Sequence, residues 1–242
     1  MARSSGLIPS CTGATALDDD SRPENSGWHG SATGGAVVFV LEWFLLDSSV
    51  LCGDPEPWLR LTTTHRGCRS QTGGWRDEFI VRLGILSDSH GRFLIVRKAL
   101  LLLEELGAAH FIHCGDVGGI EVFEELVGRP CTFVWGNTDV PAGGLLAFLH
   151  SAGVSVPTSV PTLLDFDGQR IAVYHGHEPG FGRAAHTLKV DYILHGHTHE
   201  PRDESVGSVR IINPGALHRA RIKTVAILDT DSAKLSFHEI QA

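Results

Sequence analysis

The strongest constraint on this fold is an apolar run that stops abruptly at a cluster of polar residues. The run covers residues 79–86, has the length and composition typical of a buried strand, and is followed at once by Ser87-Asp-Ser-His-Gly91. A helical pattern then extends from Phe93 to Leu106, with Gly107 as its C-terminal cap. This stretch predicts a strand, a polar loop and a helix in direct succession.

The same order repeats further along the chain. An apolar run over residues 110–114 ends at Gly115-Asp116, and a helical pattern covers Glu121 to Val127. Another apolar run, over residues 131–135, ends at Gly136-Asn137. Strands that alternate with helices are joined by right-handed βαβ crossovers and form a largely parallel sheet. We therefore predict an α/β protein whose polar loops follow the carboxyl ends of its strands.

Strands dominate after residue 160. Residues 163–174 predict a hairpin around Asp167-Gly168, a dipeptide that is typical of tight hairpin turns. Further strands are predicted at residues 192–194 and 208–212, and a final pair lies between Lys223 and His238. We expect two packed sheets with helices on the outside.

The composition changes near residue 78. Residues 1–78 contain no lysine, carry four of the five tryptophans and show neither helical nor strand periodicity. We expect a poorly ordered N-terminal extension there and the functional domain in residues 79–242. An upstream start assigned in error, with Val81 as the natural beginning, would produce such a stretch, so we expect it to be dispensable. The alternative is a genuine tether whose apolar anchor is residues 36–46.

Charge, cysteine content and hydropathy weigh against several classes of protein. The net charge of −8 provides no strong nucleic-acid signal. The five cysteines form no CxxC pair, which favours free thiols in a reducing compartment. The longest apolar run, near residues 36–46, is too short to cross a bilayer. These features predict a cytoplasmic protein with no membrane partner.

Residues able to bind a metal follow five of the predicted strands. Taken singly, each has an ordinary explanation: Asp88 suits a helix N-cap, and Gly115-Asp116 suits a turn. The loop His195-Gly-His-Thr-His199 is harder to explain as an ordinary turn, because three imidazoles at alternate positions are typical of a metal-binding loop. The candidate ligands are Asp88, His90, Asp116, Asn137, His175, His197 and His199.

The ligand types indicate which metals would bind. Two carboxylates, one amide and four imidazoles, without a thiolate, favour Mn²⁺, with Ni²⁺, Co²⁺, Fe or Zn²⁺ as alternatives, over Ca²⁺ or a structural zinc site. Seven ligands exceed the need of one ion. Two divalent ions about 3.5–4 Å apart, sharing a carboxylate, provide hydroxide at neutral pH and neutralise phosphate oxygens, which suits phosphoryl chemistry.

At these residues the chain resembles a known family. The Asp-x-His, Gly-Asp, Gly-Asn, His-Gly and Gly-His-x-His motifs that contain the candidate ligands are similar to those of the calcineurin-like metallophosphoesterase superfamily. The Gly136-Asn-x-Asp139 form and Asn213-Pro-Gly215 resemble its small YfcE-type phosphodiesterase branch. The resemblance covers residues 81–242 and implies a four-layer α/β/β/α sandwich, with the metallophosphoesterase domain in residues 79–242.

The resemblance also implies a role for each ligand. Asp116 would bridge two metals and, with Asn137, would take part in catalysis. The first metal would be held by Asp88, His90 and His199, and the second by Asn137, His175 and His197.

One position departs from the wider superfamily. Many members have a histidine directly after the Gly-Asn pair, where it is thought to protonate the leaving oxygen, whereas this chain has Thr138. A threonine hydroxyl is a poor acid at neutral pH. His177, Asp139 and a water on the metal are therefore the candidates for the general acid, with His177 as the predicted catalytic residue.

The expected function is phosphodiester hydrolysis, in which a hydroxide that bridges two divalent metals attacks phosphorus in line. The expected partner is a small-molecule phosphodiester, and a homo-oligomer is one option for the assembly. One alternative is a protein-interaction scaffold like the retromer subunit that resembles this branch and has a degraded metal site. Another is a nuclease or phosphomonoesterase on the same core, although the acidic charge balance weighs against nucleic acid.

The other histidines have structural interpretations. His113 is expected to pack beside the Gly115-Asp116 turn, and His195 to support its own loop. Asn213-Pro-Gly215 is interpreted as a tight turn at the rim of the pocket. Structural or solvated positions are expected for His110, His150, His186, His218 and His238.

Overall fold

A computed structural model of the protein describes residues 59–60, 81–166 and 168–241. All of these residues lie in a compact unit that spans residues 37–242. The expectations for residues 1–78 fall outside the described residues, apart from a two-residue strand at Leu59–Arg60.

The described elements alternate between strands and helices in the first half and are mostly strands in the second. In chain order they are β1 (Leu59–Arg60), β2 (Arg82–Leu86), α1 (Phe93–Glu105), β3 (His110–His113), α2 (Ile120–Leu126), β4 (Cys131–Phe133), α3 (Gly143–Ser151), β5 (Thr162–Phe166), β6 (Gln169–Val173), a 3₁₀ turn (Phe181–Arg183), α4 (Ala184–Thr187), β7 (Tyr192–Leu194), β8 (Arg202–Val206), β9 (Val209–Asn213), β10 (Thr224–Asp229) and β11 (Leu235–Glu239).

The strands form two mixed sheets. The five-stranded sheet has the order β11-β10-β2-β3-β4, and the six-stranded sheet has the order β1-β5-β6-β7-β9-β8. The strands pair in parallel through β2-β3-β4 and β6-β7-β9 at the centre of each sheet, and also in the edge pair β1-β5. The pairs β2-β10, β10-β11, β5-β6 and β8-β9 are antiparallel. The predicted parallel character therefore holds for the central strands and for the short β1-β5 pair, and the other described pairs are antiparallel.

Helices α1, α2 and α3 cover the outer face of the five-stranded sheet. Helix α1 buries Val96, Ala99, Leu100 and Leu103, which recur at the spacing of one helical face. They pack with Phe133 and the other large side chains of this layer. Burial of each large aliphatic side chain contributes about 1.5–3 kcal/mol relative to exposure.

A second core lies between the two sheets. On β2, Leu83 and Ile85 point into this space, where they join Leu164, Ile171 and Leu194 from the six-stranded sheet. Because successive side chains of a strand face opposite sides, a register slip of one residue would remove both β2 side chains from this core. The alternation therefore fixes how the two sheets face each other.

The fourth layer is thin. The 3₁₀ turn and α4 pack on the outer face of the six-stranded sheet, where Ala184 contacts a small core that includes Tyr174 and Ile193. The predicted four-layer α/β/β/α sandwich is thus confirmed, with three helices on one side and a single short helical segment on the other among the described residues.

Local signals placed several elements to within one or two residues. Helix α1 begins at the predicted residue and ends one residue earlier than expected, shortly before Gly107, which has a φ of +84°. Helix α2 begins and ends one residue earlier than expected. Strands β5 and β6 form the predicted hairpin, although its turn residue Asp167 lies outside the described residues. Helix α3 and strand β8 were not predicted. Within the described part of the chain, no helix has the length and apolar character needed to cross a bilayer.

Candidate metal centre

Five loops meet at the carboxyl ends of β2, β3, β4, β6 and β7. Backbone hydrogen bonds join them directly: Asp88 N donates to Gly115 O at 3.0 Å, and Gly196 N donates to His175 O at 2.9 Å. The first bond connects neighbouring loops of one sheet, and the second does so in the other sheet. All seven predicted ligands lie on these loops.

The ligand loops hold an unusual backbone conformation. The described residues include seven non-glycine positions with positive φ, and five of them are predicted ligands. The left-handed region costs an L side chain on the order of 1 kcal/mol, and such strain clusters at functional sites. The five ligands are Asp88 at +53°, His90 at +43°, Asp116 at +52°, His197 at +69° and His199 at +61°.

Glycines beside the ligands allow the loops to approach each other. A Cβ atom on Gly136 would overlap the carboxylate of Asp116, and one on Gly196 would overlap Ser87 Oγ and lie 2.6 Å from Asp88 Oδ2. Neither glycine has positive φ. Their role is therefore close packing, whereas Gly115 and Gly176, which also lie beside ligands, have positive φ of +90° and +117°.

One group of ligand atoms brings Asp88, His90 and His199 together. Their potential ligand atoms all lie within 4.8 Å of one another, with His199 Nε2 3.1 Å from Asp88 Oδ1. Asp88 Oδ1 and His90 Nε2 are buried and have no hydrogen-bond partner among the described residues. Unpartnered buried acceptors are costly, and a bound cation would satisfy them.

Asp116 lies between this group and a second group of side chains, His175 and Asn137. Its Oδ2 atom is 3.4 Å from His90 Nε2 and 3.5 Å from His175 Nε2, while its Oδ1 accepts a 2.9 Å hydrogen bond from Thr138 N. Burial raises the pKa of Asp116, but the hydrogen bonds from Thr138 and the neighbouring His175 and His90 outweigh it and hold the pKa below its ordinary value. Asp116 is therefore an anionic carboxylate placed between two imidazoles.

The orientation of His175 is set by the backbone. Its Nδ1 donates to Cys114 O at 2.8 Å, so in the neutral ring Nε2 presents a lone pair. That atom faces Asn137 Oδ1 at 3.1 Å as well as Asp116 Oδ2. Three electron-rich atoms that converge in this way fit a cation, and imidazole, amide and carboxylate suit a borderline transition metal.

The two remaining predicted site residues lie at the edge of this cluster. His197 donates its backbone N–H to Asp88 Oδ2 at 3.0 Å, and its ring centroid is 5.0 Å from that of His175. The ring of His177 is 5.3 Å from His175 and 6.1 Å from His197. The structure thus brings all the predicted site residues into one region.

Comparison with known proteins decides the family. Residues 81–233, more than half of the chain, match the model of the calcineurin-like phosphoesterase superfamily domain. This protein belongs to the calcineurin-like phosphoesterase superfamily. The resemblance inferred from the motifs is therefore confirmed.

Individual relatives of this phosphoesterase cover the same region. Phosphodiesterase MJ0936 of Methanocaldococcus jannaschii is 28% identical over 165 residues, which is 66% of this chain and 98% of the relative. The probable metallophosphoesterase YsnB of Bacillus subtilis is 26% identical over 170 residues, covering 64% of this chain and 89% of the relative. A solved structure of a novel archaeal phosphodiesterase aligns with a TM-score of 0.60 and 26% identity over 66% of this chain and 100% of that one.

Glu178 is a supporting residue of the phosphoesterase site that the sequence reasoning missed. Its carboxylate accepts the backbone N–H groups of His175 and Gly176, each at 2.7 Å. The side chain is only 9% exposed, and its bonds hold the loop on which His175 lies. A glutamate three residues after a ligand was the available signal, although the spacing alone does not distinguish it from a solvated turn.

Replacing Glu178 should weaken the site without removing a ligand. For Glu178→Ala we expect the affinity for Mn²⁺ to fall by about 10- to 100-fold, because the loop amides lose the acceptor that orients His175. A Mn²⁺ titration followed by calorimetry measures this. Glu124→Ala is the matched control, since Glu124 is exposed on α2. Equal Mn²⁺ affinity in both variants would contradict the positioning role.

Asn213 supports the histidine loop of the phosphoesterase from the other side. Its Nδ2 donates to Gly196 O at 2.8 Å and to Thr198 Oγ1 at 3.0 Å, while Oδ1 accepts from Gly215 N at 2.9 Å. The residue therefore forms the predicted turn and also fixes the loop that carries His197. His195 is buried in the same loop, and burial lowers its pKa to about 4.

Asp139 ties two ligand loops together. Its carboxylate accepts N–H groups from Val117 at 3.2 Å, Gly118 at 2.9 Å and Gly136 at 2.8 Å. The neighbouring Thr138 has its hydroxyl 3.5 Å from His90 Nδ1. Thr138, which occupies the position of the family histidine, therefore faces the site. The carboxylate of Asp139 is already occupied by the backbone N–H groups that it holds together.

Two further histidines differ in their relation to the site. His113 is buried beside it, where its Nε2 contacts Ser89 Oγ at 2.8 Å and burial, with His175, lowers its pKa to about 3. His218 was expected to be structural or solvated, yet its ring lies 5.2 Å from the ring of His90. Sequence spacing gave no sign of this contact, because the two residues are on different strand-end loops.

Proposed function

We propose that this phosphoesterase is a phosphodiesterase that works with two divalent metal ions, Mn²⁺ foremost. The observation that carries the proposal is the position of Asp116 Oδ2, 3.4 Å from His90 Nε2 and 3.5 Å from His175 Nε2. A ligand shared by two ions needs one oxygen that is close to ligands of both, and this carboxylate oxygen lies beside His90 on one side and His175 on the other.

The proposed ligand sets follow this geometry. Asp88, His90 and His199 would hold the first ion, Asn137, His175 and His197 the second, and Asp116 both. Two such ions would lower the pKa of water enough to provide a nucleophile at neutral pH and would neutralise the oxygens of the phosphodiester.

The protein's own residues orient this set. Ser87 Oγ donates to Asp88 Oδ2 at 2.6 Å, and the backbone N–H of His197 donates to the same oxygen at 3.0 Å. These bonds direct Asp88 Oδ1 toward His199. Asp88, Asp116 and His175 are each oriented by a hydrogen bond with another part of the chain, so these three proposed ligands are in place before a metal or substrate binds.

Proton donation to the leaving group is the weak point of the proposed site. Thr138 replaces the family histidine, and Asp139 already accepts three backbone N–H groups. His177 stays the predicted proton donor, since its side chain is 35% exposed at the edge of the cluster. A water on the metal stays as the alternative.

Hydrolysis of a small phosphodiester is favoured over the rival functions. MJ0936, which is named as a phosphodiesterase, matches 66% of this chain over 98% of its own length. A scaffold would gain nothing from the strained, oriented ligands described above, and a net charge of −8 disfavours nucleic-acid substrates.

The test uses metal content and activity together. Full-length protein that has been stripped of metal by a chelator should bind two Mn²⁺ per chain when Mn²⁺ is added back, and should then hydrolyse bis-p-nitrophenyl phosphate. The comparison substrates are p-nitrophenyl phosphate and an oligonucleotide. We expect the diester to have the highest kcat/KM. Two bound metals without hydrolysis would favour the scaffold, and a higher kcat/KM for the monoester would indicate a phosphomonoesterase.

A further inference from the structure

A cleft lies directly beside the candidate metal centre. It has a volume of about 670 Å³ and is lined on one side by the proposed ligands His197 and His199 and on the other by residues 219–222. Clefts of a few hundred to about 1,000 Å³ accommodate small ligands. A diester bound at the metals would therefore extend one of its two ester groups into this space.

Two arginines in the cleft have no ion-pair partner among the described residues. Arg219 and Arg221 are exposed, and no described residue forms a hydrogen bond or ion pair with either guanidinium. Elsewhere in the described residues arginines are commonly paired, as in Arg97–Glu125, Arg129–Glu104 and Arg210–Asp203. In residues 81–166 and 168–241, Arg92 and Arg183 are the other arginines without such a partner, so two of the four unpaired guanidinium groups line the cleft where a substrate would lie.

The backbone of this loop supports a role in binding. Arg219 has a φ of +52°, a conformation that a long side chain rarely adopts and that tends to persist at functional positions.

We infer that Arg219 and Arg221 bind a second anionic group, a carboxylate or another phosphate, on the part of the diester that occupies the cleft. This inference rests on the proposed phosphodiesterase function. The single charge of a simple diester is neutralised by the metals, so it leaves the two arginines without a partner. The planar guanidinium matches carboxylate and phosphate oxygens in a paired hydrogen-bond geometry.

One acidic residue shares the cleft and shapes the expected specificity. Glu200 lines the same space and is exposed, with no hydrogen bond or ion pair to a described residue. It would repel an anion on its own side and so direct the second anionic group toward Arg219 and Arg221. Removal of this charge should strengthen the preference for an anionic substrate.

The experiment compares p-nitrophenyl phosphodiesters that differ only at the far end of the other ester group. A propyl arm would end in a carboxylate, a phosphonate, a neutral amide or an ammonium group, so the leaving group and the scissile phosphate stay constant. With the Mn²⁺-loaded full-length protein, kcat/KM for the two anionic esters should exceed that of the neutral ester by about tenfold, and the ammonium ester should be poorest. The two anionic arms distinguish a carboxylate from a phosphate source.

The ratio of kcat/KM for anionic and neutral esters is then measured in variants. It should fall to near one in the double variant Arg219→Gln, Arg221→Gln, rise in Glu200→Gln, and keep its wild-type value in the control Arg183→Gln, an exposed arginine that does not line the cleft. The ratio is insensitive to a general loss of active protein.

The outcomes separate this inference from the function on which it rests. Equal kcat/KM for anionic and neutral esters, or a preference that survives in the double variant, would overturn the role of the arginines. If none of the esters is hydrolysed with two metals bound, the phosphodiesterase proposal itself fails.

Discussion

Asp116→Asn should lower the turnover of bis-p-nitrophenyl phosphate by on the order of 10³-fold and reduce the bound metal from two ions per chain toward one. The substitution is nearly isosteric, and an amide oxygen can still accept the hydrogen bond from Thr138 N that Asp116 Oδ1 accepts at 2.9 Å. What changes is the other atom, where a neutral NH₂ group would replace the oxygen that lies beside His90 Nε2 and His175 Nε2. The charge and the lone pair available to two ions are lost together.

Activity, metal content by mass spectrometry and thermal unfolding measure this prediction. Asp231→Asn is the matched control, because it makes the same chemical change at an exposed turn between β10 and β11. We expect the control to keep two metals and full turnover, and both variants to unfold cooperatively. Turnover close to wild type in Asp116→Asn with two metals still bound would refute the shared-ligand assignment.

The second large effect that we expect is a strong dependence of kcat/KM on the pKa of the leaving group. Aryl phosphodiesters with acidic leaving groups should react faster than alkyl ones by on the order of 10³-fold or more, since general acid catalysis is commonly worth 10²- to 10⁴-fold. The reason is structural: Thr138 lies 3.5 Å from His90 where the family places a histidine, and its hydroxyl is a poor proton donor.

A series of substituted phenyl esters tests this through the slope of log kcat/KM against the leaving-group pKa. The slope should be steeply negative in the wild type and in the control Thr138→Ser, and shallower in Thr138→His, which restores an imidazole at the family position. A wild-type rate that is independent of leaving-group pKa would instead reveal a competent acid or a slow step outside the chemistry.

The sequence by itself determined which residues could form the site and which segments carry them. Local signals, each of which depends on neighbours within a few residues, predicted these segments. They are the apolar run of β2, the helical spacing of α1 and the cap at Gly107. Ligand chemistry is likewise a property of residue type. The family match over residues 81–233 and the four-layer fold confirm the family and the fold inferred from these patterns, and the metal-binding roles stay a prediction.

Only the tertiary structure decided how those residues are held and what surrounds them. Asp139 reaches amides 21 and 22 residues away, Asn213 reaches a loop 17 residues earlier, and His218 contacts His90 on a different strand-end loop. The first two contacts join loops at the ends of neighbouring strands of one sheet, and the third joins loops of the two packed sheets. Local periodicity encodes neither arrangement. For the same reason the unpaired Arg219 and Arg221 became visible as part of a cleft only when the loops were placed around it.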